Sequence, residues 1–181
     1  MWKSCGKCSL TKGLKNHNLF LVEKSGKVWE KSKILWKNMF LGEYQYNIDE
    51  KKRLALPAHF RRKLGKKIII TRGLDSCLFL FPLKEWNLLV KKISKLPLAK
   101  SDARGFARLM LTGAMEVDFD NLGRILIPDF LKEYASLQKR VIVAGVFNRI
   151  EIWDEEKWKE YKLKAEKEAG DIAERLSEIG I

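Results

Sequence analysis

From Met39 onward the chain alternates short apolar runs with turn residues. Residues 43–48 and 114–119 read as β-rich segments. Three-residue apolar runs follow at 54–56 and 125–127, each ended by a proline, Pro57 or Pro128. Proline suits the first position of a helix, where its missing N–H has no intrahelical partner to lose. Short helices are therefore predicted from these prolines to about Leu64 and Leu137. The runs 68–70 with 78–81, and 141–143 with 150–153, are too short for helices and are bounded by turn residues (Arg72-Gly73-Leu74-Asp75; Gly145 and Asn148), which predicts strands. A longer helix closes each set, about 83–95 before Pro97 and about 155–179. In the last one Trp158, Tyr161, Ala165, Ala169, Ile172, Ala173, Leu176 and Ile179 recur at helical spacing. That stripe suits packing on the chain's own sheet or, in part, on a neighbouring subunit.

The two sets are copies of each other. Asp49-Glu50-Lys51-Lys52-Arg53-Leu54-Ala55-Leu56-Pro57 matches Asp120-Asn121-Leu122-Gly123-Arg124-Ile125-Leu126-Ile127-Pro128, with Asp, Arg and Pro each 71 positions apart. Trp86 and Trp158 continue the match with a shift of one. Chance does not align an Asp, an Arg, an apolar triplet, a Pro, two strands and a Trp in order, so internal duplication governs the fold reading. The expected organisation is a β-rich α+β chain of two tandem repeats, 39–110 and 111–181, the second with a long C-terminal helix. Residues 1–38 stand apart.

Those first 38 residues carry nine Lys, two Glu and scattered Trp2, Trp29 and Trp36, with no sustained period. They read either as an over-extended reading frame whose natural start is Met39 or as a genuine basic tail. They hold more than half of the net charge of +13. A basic chain attracts polyanions, nucleic acid first. Their few apolar residues lie on no single face, which argues against membrane binding.

Three cysteines, Cys5, Cys8 and Cys77, are too few and odd in number for a disulfide-built secreted fold. Cys5 and Cys8 make half of a zinc site whose other half is missing, with His17 the only nearby candidate. No metal or cofactor is expected. No apolar run near the start approaches the roughly 20 residues of a membrane span, so the expected place is the cytoplasm. The two histidines, His17 and His59, have no nucleophile at a recognised spacing, and no phosphate-binding or metalloprotease motif is present. Neither an enzyme nor a small-molecule substrate is expected.

The twin Asp-x-x-x-Arg segments carry the most chemistry. An Asp opening a tight turn can accept hydrogen bonds from backbone N–H groups ahead of it. Gly123 tolerates a positive φ. The Arg at the exit can fold back on its Asp and merely fix the turn, or point outward. A guanidinium makes paired hydrogen bonds to phosphate or to a guanine edge. Occurrence twice, before the same apolar-Pro-helix pattern, weighs toward the outward role.

With the opening Met39-Phe40-Leu41-Gly42-Glu43-Tyr44, the twin signatures, and Gly145 with Ile152-Trp153, residues 39–181 resemble the MraZ family of the AbrB-like superfamily. The resemblance implies two interlocked swapped-hairpin, double-psi-like barrel halves and a ring-shaped homo-oligomer. It implies a nucleoid-associated regulator, usually a repressor, binding repeated double-stranded DNA sequences in the promoter of the division and cell-wall operon, its own included. By resemblance Arg53 and Arg124 lie at the DNA, while Asp49, Asp120 and Gly123 hold the turns. Lys51, Lys52, Arg61 and Arg62 would add phosphate contacts, although Arg61, Arg62 and Lys63 also fit an ordinary solvated helix face. The first turn departs from the pattern, with Lys52 where the second has Gly123. The alternative is an AbrB-like oligomerisation or antitoxin-type interaction module without promoter specificity.

Overall fold

The structure, a computed structural model, describes residues 39–177. In chain order the elements are β1 (Phe40–Asn47), β2 (Arg53–Ala55), α1 (Ala58–Leu64), β3 (Ile68–Arg72), β4 (Leu78–Pro82), α2 (Leu83–Ile93), α3 (Ser101–Thr112), β5 (Met115–Val117), β6 (Arg124–Leu126), α4 (Asp129–Tyr134), β7 (Arg140–Phe147), β8 (Arg149–Asp154), α5 (Glu155–Lys167) and α6 (Ala169–Ser177).

The two repeats do not fold side by side. Six strands form one sheet in the order β1-β7-β8-β4-β3-β5, every pair antiparallel. Strand β1 of the first repeat pairs along its whole length with β7 of the second, and β5 of the second pairs with β3 of the first. The short strands β2 and β6 form a separate antiparallel ribbon, with Leu54 opposite Ile125. A three-residue strand cannot stand alone in water, so each repeat's signature segment depends on the other's.

Alternation along the strands builds two cores. Ile68, Ile70, Leu78, Leu80, Val141, Val143, Ile150 and Ile152 face Leu54, Leu56, Ile125 and Ile127 in the larger one. Ile69, Phe79, Phe81, Ile142 and Trp153 face the other way, under Trp86 and Ile93 of α2, Met110 of α3 and Trp158 of α5. Strands covered on both faces read as continuous apolar runs, which is how residues 68–70 and 78–81 look in the sequence.

The architecture is α+β and β-rich, as expected, with three differences in detail. Helix α3 was not anticipated. Gly105 interrupts a stripe of Ala103, Phe106, Ala107 and Met110 that packing rescues, and the Thr71 hydroxyl ties down the helix end by donating to the Met110 carbonyl at 2.6 Å. The C-terminal helix, expected to run from 155 to 179, breaks at Glu168 just before Gly170, a weak helix former. Its stripe divides accordingly: Trp158 and Tyr161 pack on Trp153, whereas α6 buries no residue. Helix α4 ends at Tyr134, three residues short of the expected Leu137, where Ser136 adopts φ +53°.

Candidate nucleic-acid interface

Each Asp-x-x-x-Arg segment is a closed turn held by the same bonds. The Asp49 N–H donates to the Arg53 carbonyl and the Lys52 N–H to the Asp49 carbonyl, both at 2.9 Å; Asp120, Gly123 and Arg124 repeat the pattern at the same distances. The Asp side chain fills the turn. Its Oδ1 accepts the backbone N–H of Arg53 at 2.8 Å in the first turn and of Arg124 at 2.9 Å in the second.

The fourth position of each turn is left-handed. Gly123 has φ +74° and Lys52 has φ +61°. The lysine therefore adopts the glycine's conformation, at a cost of about 1 kcal/mol for a side chain in that region, and the departure in sequence leaves the turn's shape intact.

Both arginines fold back. The Arg53 Nε donates to Asp49 Oδ2 at 2.8 Å, and the Arg124 Nε donates to Asp120 Oδ2 at 2.8 Å, with Nη2 beside the same oxygens at 2.8 and 2.7 Å. The β2–β6 register then brings the two pairs together. Arg124 Nη1 lies 3.5 Å from Asp49 Oδ2, and Arg53 Nη1 lies 4.0 Å from Asp120 Oδ2. The four groups form a crossed network about the Leu54–Ile125 pair, and their side chains remain 23 to 32% exposed. The guanidiniums hold both Asp carboxyls below the usual range, Asp120 to about 2, with backbone N–H donors adding to the effect. Asp120 Oδ1 also accepts from the Leu122 N–H at 2.9 Å, whereas the equivalent Lys51 amide acts on Asp49 only weakly.

The swap also redistributes the surrounding cations. The Lys52 carbonyl accepts from Ile127 N–H at 2.9 Å and the Gly123 carbonyl from Leu56 N–H at 3.4 Å, so each turn sits at the start of the other repeat's helix. The first turn consequently meets α4, and Lys52 pairs with Asp129. The second meets α1, whose Arg61 lies so close over Gly123 that a methyl there would fall 1.9 Å from its guanidinium. Lys51 and Arg62 are exposed and form no ion pair among the described residues. Lys63 donates instead to the Met39 carbonyl at 2.6 Å. Lys51 and Lys52 thus belong to one turn, while Arg61 reaches the other.

Sequence reasoning missed the outward face of the ribbon. Leu54 and Ile125 are fully buried, so by alternation Arg53, Ala55, Arg124 and Leu126 face out, with Leu126 55% exposed. The signal was present in the duplication: Leu126 stands where the first repeat has Ala55.

Among the described residues no group of three His, Cys, Asp or Glu side chains could hold a metal. The Cys5, Cys8 and His17 candidates lie outside them, as does the whole of the basic stretch 1–38. No helix among the described residues is long and apolar enough to cross a membrane.

A family model described as "MraZ protein, putative antitoxin-like" matches residues 39–109 and again 110–178. Curated relatives called transcriptional regulator MraZ align over 143 residues, all of each relative and 79% of this chain. The protein of Natranaerobius thermophilus is 48% identical, that of Syntrophomonas wolfei 47% and that of Halothermothrix orenii 48%. Two consecutive matches to one model, likeness along the full length of these relatives, and paired turns of one geometry agree: the chain belongs to the MraZ family.

Proposed function

We propose that this chain is a sequence-specific DNA-binding transcriptional regulator, a repressor of the division and cell-wall operon that includes its own promoter, acting as a ring-shaped homo-oligomer. The observation that carries this reading is the juxtaposition of two Asp-x-x-x-Arg turns on one exposed ribbon. A guanidinium has five N–H donors. Each Asp engages the Nε side, which orients the plane and leaves further donors for a phosphate oxygen or a guanine edge. Pre-orientation lowers the entropy lost when DNA binds.

The network itself is neutral, two arginines against two aspartates, so it attracts DNA weakly. Lys51, Lys52, Arg61 and Arg62 supply the sequence-blind attraction to phosphate. One such site has modest affinity. Several copies on one ring engage repeated sites together, and each later contact is intramolecular. The names of the relatives support the regulatory role.

The test is a gel shift of the full chain on the DNA just upstream of its own gene, with salt varied. Preference for that DNA over a scrambled duplex, with an affinity that falls linearly on a log–log salt plot, is expected. Equal binding to both duplexes would favour the second reading, an antitoxin-type interaction module, which the family description itself suggests.

A further inference from the structure

We infer that Leu126 is a specificity-determining residue, reading a thymine methyl group beside the Arg53–Arg124 network and fixing the direction in which the ribbon lies on DNA. This rests on the DNA-binding reading above.

The ribbon has a local twofold character that DNA would not resolve. Its turns close with the same backbone bonds, and each arginine crosses toward the other repeat's aspartate, at 3.5 and 4.0 Å. A backbone of that symmetry docks equally well in either direction, and the lysines that only the first turn carries, being sequence-blind on phosphate, do not tell a directional site from an inverted one. Something on the outward face must differ between the two ends.

Among the outward-facing residues of β2 and β6, Leu126 against Ala55 is that difference. It occupies the position of Ala55, on a strand whose neighbouring Ile125 is fully buried, and it is 55% exposed. It sits opposite Arg53 in the ribbon register, at the end of the ribbon away from the Ala55–Arg124 pair. On one flank it borders a depression of about 380 Å³ shared with Lys51, Lys52, Ile127, Pro128 and Asp129. An exposed leucine framed by cations suits a surface that carries both charge and an apolar group. The major groove of an A·T pair offers that combination: hydrogen-bonding edges, phosphates on either side, and the C5 methyl of thymine. A two-stranded ribbon fits that groove. Ala55 ends two bonds short of a leucine's reach, so one orientation of the ribbon brings the longer apolar side chain to the methyl and the other does not.

The experiment compares the full-length wild type and Leu126→Ala on the upstream DNA and on the same duplex made with deoxyuridine in place of thymidine, which lacks only the methyl. Each methyl engaged is worth roughly fourfold in affinity. The wild type is expected to bind the uracil duplex about fourfold more weakly or worse. Leu126→Ala should bind the thymine duplex with a similar loss and no longer distinguish the two. Its melting temperature and its mass by light scattering should match the wild type.

If Leu126→Ala keeps the thymine preference, or its mass changes in the absence of DNA, the assignment is overturned; the second result would put Leu126 between subunits. A wild type that selects upstream over scrambled DNA yet ignores the methyl overturns this inference alone. A wild type that selects neither overturns the DNA reading with it.

Discussion

The two signature turns share one backbone and differ in what surrounds them. Their hydrogen bonds agree to about 0.1 Å and their arginines cross to each other's aspartates. Their sequences do not agree in charge. Residues 49–64 hold six cations against two carboxylates, a net +4, whereas the equivalent residues 120–135 hold two cations against three carboxylates, a net −1. The fold then exchanges these helices, laying the basic α1 on the neutral second turn and the acidic α4 on the lysine-rich first turn. Backbone geometry is thus held equal by the Asp caps, while side chains at the surface are free to diverge. A duplicated scaffold can in this way keep one shape and acquire two faces.

The largest expected effect tests whether the equality extends to the core. Leu54→Ala and Ile125→Ala each remove a fully buried side chain at the centre of the ribbon, and each should cost about 2–5 kcal/mol in urea unfolding. A difference of more than half between them would show that one repeat carries the fold. Next in size is DNA binding. Arg53→Ala and Arg124→Ala should each weaken promoter binding by about 1–3 kcal/mol while the protein stays folded. Should one of them bind like the wild type, DNA contact belongs to the other turn only.

The left-handed position sharpens the contrast further. Gly123→Lys forces a side chain into φ +74° and into Arg61, with an expected loss of about 1–3 kcal/mol. Lys52→Gly relaxes the same conformation, so its stability should change by less than about 1 kcal/mol. Comparable losses from both would mean that Arg61 does not constrain the second turn.

The smallest effect is acid sensitivity. Asp120 has its pKa lowered from the ordinary 3.8 to about 2 in the folded state, chiefly by the hydrogen-bonded Arg124 guanidinium. Its contribution is complete above about 3.8 and disappears as pH falls through about 2. Asp120→Asn should flatten acid unfolding in that window more than Asp49→Asn does, because the backbone amide at the third turn position donates to Asp120 at 2.9 Å, whereas at Asp49 it is the smallest of the causes that lower the pKa. The ranking is checked by following the urea midpoint of both variants from pH 5 to pH 2.

Much of this architecture was legible because it is local. Pro57 and Pro128 mark the helix starts, the apolar triplets mark β2 and β6, and the runs at 68–70, 78–81, 141–143 and 150–153 mark the strands. Helix α3 was not legible, since Gly105 interrupts a stripe that only contact with the sheet stabilises. The turn residues Asp49, Asp120 and Gly123 were legible from the chemistry of turns. The duplication weighs toward arginines that point outward, whereas both fold back onto their own aspartates, because the closed turn brings each guanidinium within hydrogen-bond reach of the Asp Oδ2.

By itself the sequence determined the duplication, the positions of the turns and the identity of the groups that close them, because an Asp side chain caps amides within four residues and needs no distant partner. Tertiary structure alone decided which helix each turn meets, that the two Asp–Arg pairs lie within 4.0 Å of each other, and that Leu126 faces outward beside them. Those outcomes depend on pairing β2 with β6 across 71 residues, and strands of three residues carry too little pattern to name their partner.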